Sequence, residues 1–144
     1  MRDEKNSTGT TGGCLCGAVR YEVSGPLRPV VNCHCSQCRR TSGHFVAATA
    51  VRPEGMTLIA SEGLRWYRSS ETARRGFCRN CGSSLFWESV SGEKIVIMAG
   101  TLDGPTKLRT AAHIFAGDAG DYYEIDDDLP RFTGGDHGVE IQDG

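Results

Sequence analysis

Residues 12–23 read GGCLCGAVRYEV, and two features of this stretch bear on the whole chain. Cys14 and Cys16 form a close pair followed at once by Gly17. After them the pattern alternates, with Val19, Tyr21 and Val23 on one face of an extended segment and Arg20 and Glu22 on the other, as in a half-buried strand. A cysteine pair closed by glycine has the form of a zinc knuckle, in which backbone N–H groups point at thiolates. The residue after the second cysteine then often needs a positive φ, which glycine adopts without strain. The same form recurs in FCRNCGSS at residues 77–84, where Cys78 and Cys81 precede Gly82. Two such knuckles from distant segments complete a tetrahedral shell of four thiolates, so Cys14, Cys16, Cys78 and Cys81 are expected to hold a structural zinc.

Between the knuckles lies NCHCSQCRRTSGHF, residues 32–45, with three further cysteines at 33, 35 and 38. No fourth cysteine remains to close their shell. Zinc with three protein ligands and an exchangeable fourth position is the arrangement that permits chemistry, so Cys33, Cys35 and Cys38 are the expected ligands of a second, open and catalytic zinc. His34 or His44 would be the alternative fourth ligand. His34 is otherwise expected to make an outer contact or face solvent, and Arg39 and Arg40 either receive a substrate carboxylate or lie in water. Ser36 and Ser42 are candidates for passing a proton, with a structural role the simpler reading.

The rest of the chain is punctuated as an all-β domain. Short β-branched and aromatic runs at 18–23, 45–51, 56–60, 64–67, 74–78, 84–88 and 94–100 are each bounded by Gly, Pro, Ser or Asp. The run at 94–100 is uniformly apolar and is expected to be a central strand covered on both faces. A single helical turn is expected over 36–41. Trp66, Trp87, Phe86 and Phe115 are read as core, His113 as a hydrogen-bonded core histidine, and Asp126 to Asp128 as a solvated turn.

The chain has 144 residues, enough for one domain that buries roughly two thirds of its extended surface. Residues 1–12 are polar and read as a flexible lead-in, residues 13–133 as the zinc-binding domain, and residues 134–144 as a flexible tail. A net charge of −2 with scattered Lys and Arg disfavours nucleic acid as a partner. No apolar run approaches the roughly 20 residues that span a bilayer, and the first residues lack the apolar centre of a secretion signal. The seven cysteines are odd in number, which suits metal binding in a reducing, cytoplasmic setting better than a disulfide framework.

Taken together, GGCLCGAVRYEV, CHCSQCRRTSG, GFCRNCGSSLFW, AGTLD at 99–103, HIF at 113–115 and LPRF at 129–132 resemble the glutathione-dependent formaldehyde-activating enzyme family. That family also includes the zinc-binding region of centromere protein V. The resemblance implies a small zinc-bound β-tent fold of short antiparallel strands, with two zinc ions divided as above. It implies a carbon–sulfur lyase or synthase that joins glutathione, or a similar small-molecule thiol, to formaldehyde as S-(hydroxymethyl)glutathione. Many relatives carry Trp shortly after the HIF segment, where this chain has Asp121, Tyr122 and Tyr123. The residues by themselves also fit a non-catalytic zinc module that binds a thiol metabolite or a protein partner, or a redox- or zinc-responsive switch.

Overall fold

The computed structural model describes residues 9–135 and 139–141. Its strands are β1 (Thr10–Gly13), β2 (Arg20–Val23), β3 (Val30–Cys33), β4 (Val46–Val51), β5 (Met56–Ala60), β6 (Leu64–Arg68), β7 (Ala73–Cys78), β8 (Ser84–Ser89), β9 (Ile95–Met98) and β10 (Thr110–Ile114). One helix, α1 (Ser36–Ser42), follows β3. The strands form a three-stranded sheet in the order β1-β2-β5 and a seven-stranded sheet in the order β10-β3-β4-β9-β8-β7-β6. The protein is therefore all-β. No helix among the described residues is long and apolar enough to cross a membrane.

Alternation in the opening stretch translates into burial, for Val19, Tyr21 and Val23 are all sealed in the first of two apolar clusters while Glu22 is exposed. Phe86 packs edge-on against Tyr21 at 5.3 Å between ring centres, and the Tyr21 hydroxyl meets Thr101 Oγ1 at 2.7 Å. The second cluster gathers Val31, Val46, Ala48, Ala112 and Ile114 around Cys33 and Cys38. Each apolar cluster thus contains cysteines of one sulfur group. β9 does lie between β4 and β8, but its side chains are mostly half-buried and the chain leaves the sheet in a 3-10 turn at Ala99–Thr101. Trp66, Trp87 and Phe115 are also only partly covered, so of the four aromatics expected in the core Phe86 alone is fully inside.

Three strands depart from expectation. β1, TTGG, starts inside the segment expected to be a flexible lead-in up to residue 12, so regular structure is already present at Thr10. Glycine is needed there because a Cβ at Gly12 would collide with the Tyr21 ring and the Thr101 carbonyl. Asp103 fastens the strand from outside, accepting from Thr11 Oγ1 and from Arg20 Nη2 at 2.7 Å each. The AGTLD segment is therefore a clamp on β1. β3 and β10 were not anticipated either, and their pairing is parallel beside the antiparallel pairing of the other named strands. The segment after β9 returns the chain along β3 in the same sense, a connection that parallel pairing requires. On its other side β10 is covered by the LPRF segment, through backbone bonds between His113 and both Pro130 and Phe132 at 2.9 Å.

The tail expected to be flexible from residue 134 is tied in at two points. Phe115 N–H donates to the Gly134 carbonyl at 2.7 Å, and Val139 packs on the second cluster. The remainder of that expectation, at 136–138 and 142–144, and the lead-in at 1–8 lie outside the described residues.

If β1 is structural, Gly12→Ala overpacks a closed contact and should cost about 1–3 kcal/mol of unfolding free energy. Gly100→Ala, where an added Cβ meets nothing within 4 Å, should change it by less than about 0.5 kcal/mol. Urea unfolding of the two variants beside the parent makes the comparison.

Candidate metal centres and the adjoining cavity

Cys14 directly follows β1, Cys78 ends β7, and Cys16 and Cys81 occupy the turns that come next. The four sulfurs lie within 4.8 Å of one another, and two of the separations, Cys14–Cys16 and Cys16–Cys78, are 3.8 Å. That is the edge of a tetrahedron whose centre lies about 2.3 Å from each sulfur, the length of a metal–thiolate bond. Backbone amides point inward as a knuckle requires, with Val19 N–H donating to Cys14 Sγ and Asn80 N–H to Cys78 Sγ, both at 3.3 Å. Gly17 and Gly82 have φ of +88° and +81° with open space where a Cβ would stand. The left-handed backbone, not lack of room, is what selects glycine at both. Ser83 adds a contact that the sequence did not signal: its hydroxyl meets Cys81 Sγ at 3.3 Å and accepts from Leu15 N–H at 3.0 Å, joining the knuckles. Together with its N–H, that hydroxyl holds the Cys81 thiol down at about 5.

The second group is local. Cys33 ends β3, Cys35 is the N-cap of α1 with its sulfur accepting from Cys38 N–H at 3.3 Å, and Cys38 lies in the helix. Their sulfurs also lie within 4.8 Å of one another. Hydrogen bonds from the Cys33 and Cys38 thiols, with the N–H groups of Cys38 and Gln37, hold the Cys35 thiol far below the ordinary range; the same sharing, with burial, pushes Cys33 up. Anionic sulfur is thus favoured at one position before any cation binds. Both groups can hold a metal ion.

No histidine joins this second set among the described residues. His34 is buried with both ring nitrogens engaged elsewhere, Nδ1 with the Tyr123 hydroxyl and Nε2 with His113 Nδ1 at 2.9 Å. His113 Nε2 in turn faces both Asp127 carboxylate oxygens at 3.0 Å. His44 Nδ1 meets the Tyr122 hydroxyl at 2.8 Å. The chain Tyr123–His34–His113–Asp127 therefore runs from behind the Cys33–Cys35 turn out to the surface. It links four features that stand apart in the sequence: a linker histidine, a core histidine, an aromatic pair and an acidic turn.

A cavity of about 410 Å³ opens onto Cys33, Cys35 and Cys38. Aliphatic and aromatic side chains, among them Val31, Val96, Met98, Ile114, Phe115 and Trp87, make most of its wall, and Arg28, Arg75 and Lys94 bring positive charge to it. Arg39 and Arg40, the cations singled out in the sequence, do not line it. Arg40 faces a smaller hollow of about 190 Å³ with Ser36 and Tyr67. Ser42 is structural, its hydroxyl lying 2.9 Å from the Cys38 carbonyl and 2.7 Å from that of His44 at the end of α1.

The profile described as glutathione-dependent formaldehyde-activating enzyme matches residues 9–118. The chain belongs to that family. A Schizosaccharomyces pombe protein described as an uncharacterized lyase is 28% identical over 124 residues, which span 85% of this chain and 89% of that one. A Halomonas elongata protein whose name assigns it to the same family is 34% identical over 83 residues, about half of each chain (52% and 53%). A crystal structure of a Rhodobacter sphaeroides protein superposes with a TM-score of 0.56 at 28% identity, covering 70% of this chain and 99% of that one. Both cysteine groups lie inside the family match.

With both rings neutral, the buried histidine chain has one self-consistent proton arrangement. Asp127 accepts, so His113 carries its proton on Nε2; His113 Nδ1 then accepts from His34 Nε2–H, and His34 Nδ1 accepts from the Tyr123 hydroxyl. Burial, with the positive charge of His113 and His44 nearby, pulls His34 from 6.5 to about 4. Long-range ¹H–¹⁵N NMR spectra at pH 6 should show His34 neutral, with its second proton gained only as the pH falls well below 5. A His34 ring doubly protonated at pH 6 would contradict this arrangement.

Proposed function

We propose that the protein is a zinc-dependent carbon–sulfur lyase that makes and breaks the bond between a thiol, such as glutathione, and a small carbonyl compound such as formaldehyde, in the cytoplasm. Cys14, Cys16, Cys78 and Cys81 would hold a structural zinc, and Cys33, Cys35 and Cys38 the second zinc. The observation that carries the reading is the cavity onto which these three thiols open, with no fourth protein ligand among the described residues. Family membership supports the reaction class.

Zinc bound there supplies a Lewis acid that lowers the pKa of whatever completes its coordination. The protein supplies the rest. β3 and α1 hold the three sulfurs together on one side of the cavity, and the aliphatic walls exclude water from a substrate sulfur seated beside them. The cations Arg28 and Lys94 on the cavity wall favour an anionic substrate, as a thiolate-bearing peptide would be. In the synthetic direction the thiol sulfur adds to the carbonyl carbon; in the lyase direction that bond breaks and the pair returns to sulfur.

Parent protein purified in the presence of zinc should carry close to two ions per chain, and a ratio near one would remove the second site. The two sites should also differ in what their loss does. The first group ties segments more than sixty residues apart, and such a site contributes folding free energy on the order of 10 kcal/mol, against about 5–15 kcal/mol of net stability for a domain. Cys81→Ser should therefore leave the chain largely unfolded or insoluble. Cys35→Ser keeps a good N-cap for α1, because serine accepts from the same amide. It should stay folded, bind one zinc, and lose both exchange activity and the protection of Cys33 and Cys38 from alkylation by added glutathione. Thermal melts, metal analysis and mass spectrometry distinguish the variants; a stable Cys81→Ser beside a collapsed Cys35→Ser reverses the assignment.

A further inference from the structure

We infer that Arg75 is a catalytic residue of this site, the group that holds the oxygen of the reacting carbonyl; the inference rests on the carbon–sulfur chemistry proposed above. Arg75 lies on β7 opposite Trp87, on a strand remote in sequence from the CHCSQC segment. The fold brings its guanidinium to the edge of the sulfur cluster, where Nη2 approaches Cys38 Sγ at 3.7 Å and Gln37 Oε1 at 3.4 Å. It lines both the main cavity and the smaller hollow, and so stands at the boundary between them.

Its hydrogen bonding is incomplete. A guanidinium carries five N–H donors, yet the two contacts of Nη2 are both long, Nη1 meets no acceptor among the described residues, and Nε is buried with none. Unpaired buried donors cost about 1–3 kcal/mol each, so a cation left in this state beside a cavity is suited to an oxygen that the protein does not provide. Arg28 differs, since it is almost wholly buried and commits Nη2 to the Ala48 carbonyl at 3.0 Å.

Chemistry gives that oxygen a position. In the addition, the thiol gives its proton to water, the thiolate lone pair forms the new S–C bond while the C=O π pair moves onto oxygen, and the resulting alkoxide takes a proton back from water. In the reverse direction water removes the hydroxyl proton, C=O re-forms and the S–C pair leaves with sulfur, which takes the proton back from water. The oxygen is always two bonds from the reacting sulfur. A donor that serves it must therefore stand immediately beside the sulfur cluster, which is where Arg75 lies. Arginine keeps its charge at every working pH, so it stabilises the alkoxide by hydrogen bonding and transfers no proton.

The rival role for Arg75 is to balance the negative charge of the three thiolates, and the two roles separate in measurement. Exchange NMR between formaldehyde hydrate and S-(hydroxymethyl)glutathione, corrected for the uncatalysed rate, gives the turnover of parent, Arg75→Gln and Arg75→Lys. Zinc content and glutathione protection of Cys33, Cys35 and Cys38 from alkylation are measured on the same samples. The inference predicts that Arg75→Gln retains zinc and glutathione affinity within about twofold while turnover falls about 100-fold, the usual effect of removing an oxyanion donor, and that lysine restores part of it. It also predicts that mercaptoacetate, whose carboxylate lies close to the alkoxide position, loses its advantage over 2-mercaptoethanol in protecting the cysteines of Arg75→Gln. Unchanged turnover, or loss of zinc or glutathione affinity matching the loss of rate, overturns the inference; should Arg75→Gln fail to fold, Arg75→Lys is judged by the same criteria. A parent protein with neither turnover nor glutathione protection overturns the proposed function itself, a result distinct from parental activity that survives in the variants.

Discussion

Anionic sulfurs 3.8 Å apart repel one another strongly, and in the group of Cys14, Cys16, Cys78 and Cys81 that repulsion is opposed by only a few amide and hydroxyl hydrogens. A cation at the centre would turn the repulsion into attraction and join the two sheets. Cys14 and Cys16 sit between β1 and β2 of the smaller sheet, while Cys78 and Cys81 sit between β7 and β8 of the larger. The first apolar cluster lies directly beneath, with Cys14 and Cys78 themselves among its buried members. Metal binding there would make core formation the same event in this half of the molecule. The Asp103 clamp braces the same small sheet through Thr11 of β1 and Arg20 of β2.

The second group depends on this frame without supplying it. Its three cysteines come from one strand end and one helical turn, so their own backbone already brings them together. What the larger fold adds is the surroundings: β10 and the Tyr123–His34–His113–Asp127 chain behind the turn, aliphatic walls from β4 and β9, and Arg75 from β7 at the side. A sulfur set with local geometry and remote walls can exchange a ligand while the domain stays folded.

Much of this was legible in the residues. The division of seven cysteines into four and three follows from Gly17 and Gly82, whose left-handed backbone the structure displays, against Arg39 after Cys38. The alternation at 19–23 placed Tyr21 in the core. β1 was hidden because its glycines, chosen for close approach to Tyr21 and Thr101, look in sequence like flexible chain. β10 was hidden because TAAHI has weak strand propensity and is held by backbone bonds on both sides. Arg75 carried no signal at all, since a charged residue in a strand is ordinarily solvated, and only the tertiary approach of β7 to α1 distinguishes it from Arg74 beside it, which lies 3.9 Å over the Trp66 ring.

The central claim is that one sulfur set is closed and the other open. Zinc X-ray absorption spectroscopy reads this directly, because it counts the sulfurs around the average ion. Two ions sharing four and three cysteines should show about 3.5 sulfur ligands each at about 2.3 Å, with a light atom making up the remainder. Saturating glutathione should raise the count to about 4 and remove the light-atom shell. A count that is already 4 without thiol, or that does not change when thiol is added, would contradict the account.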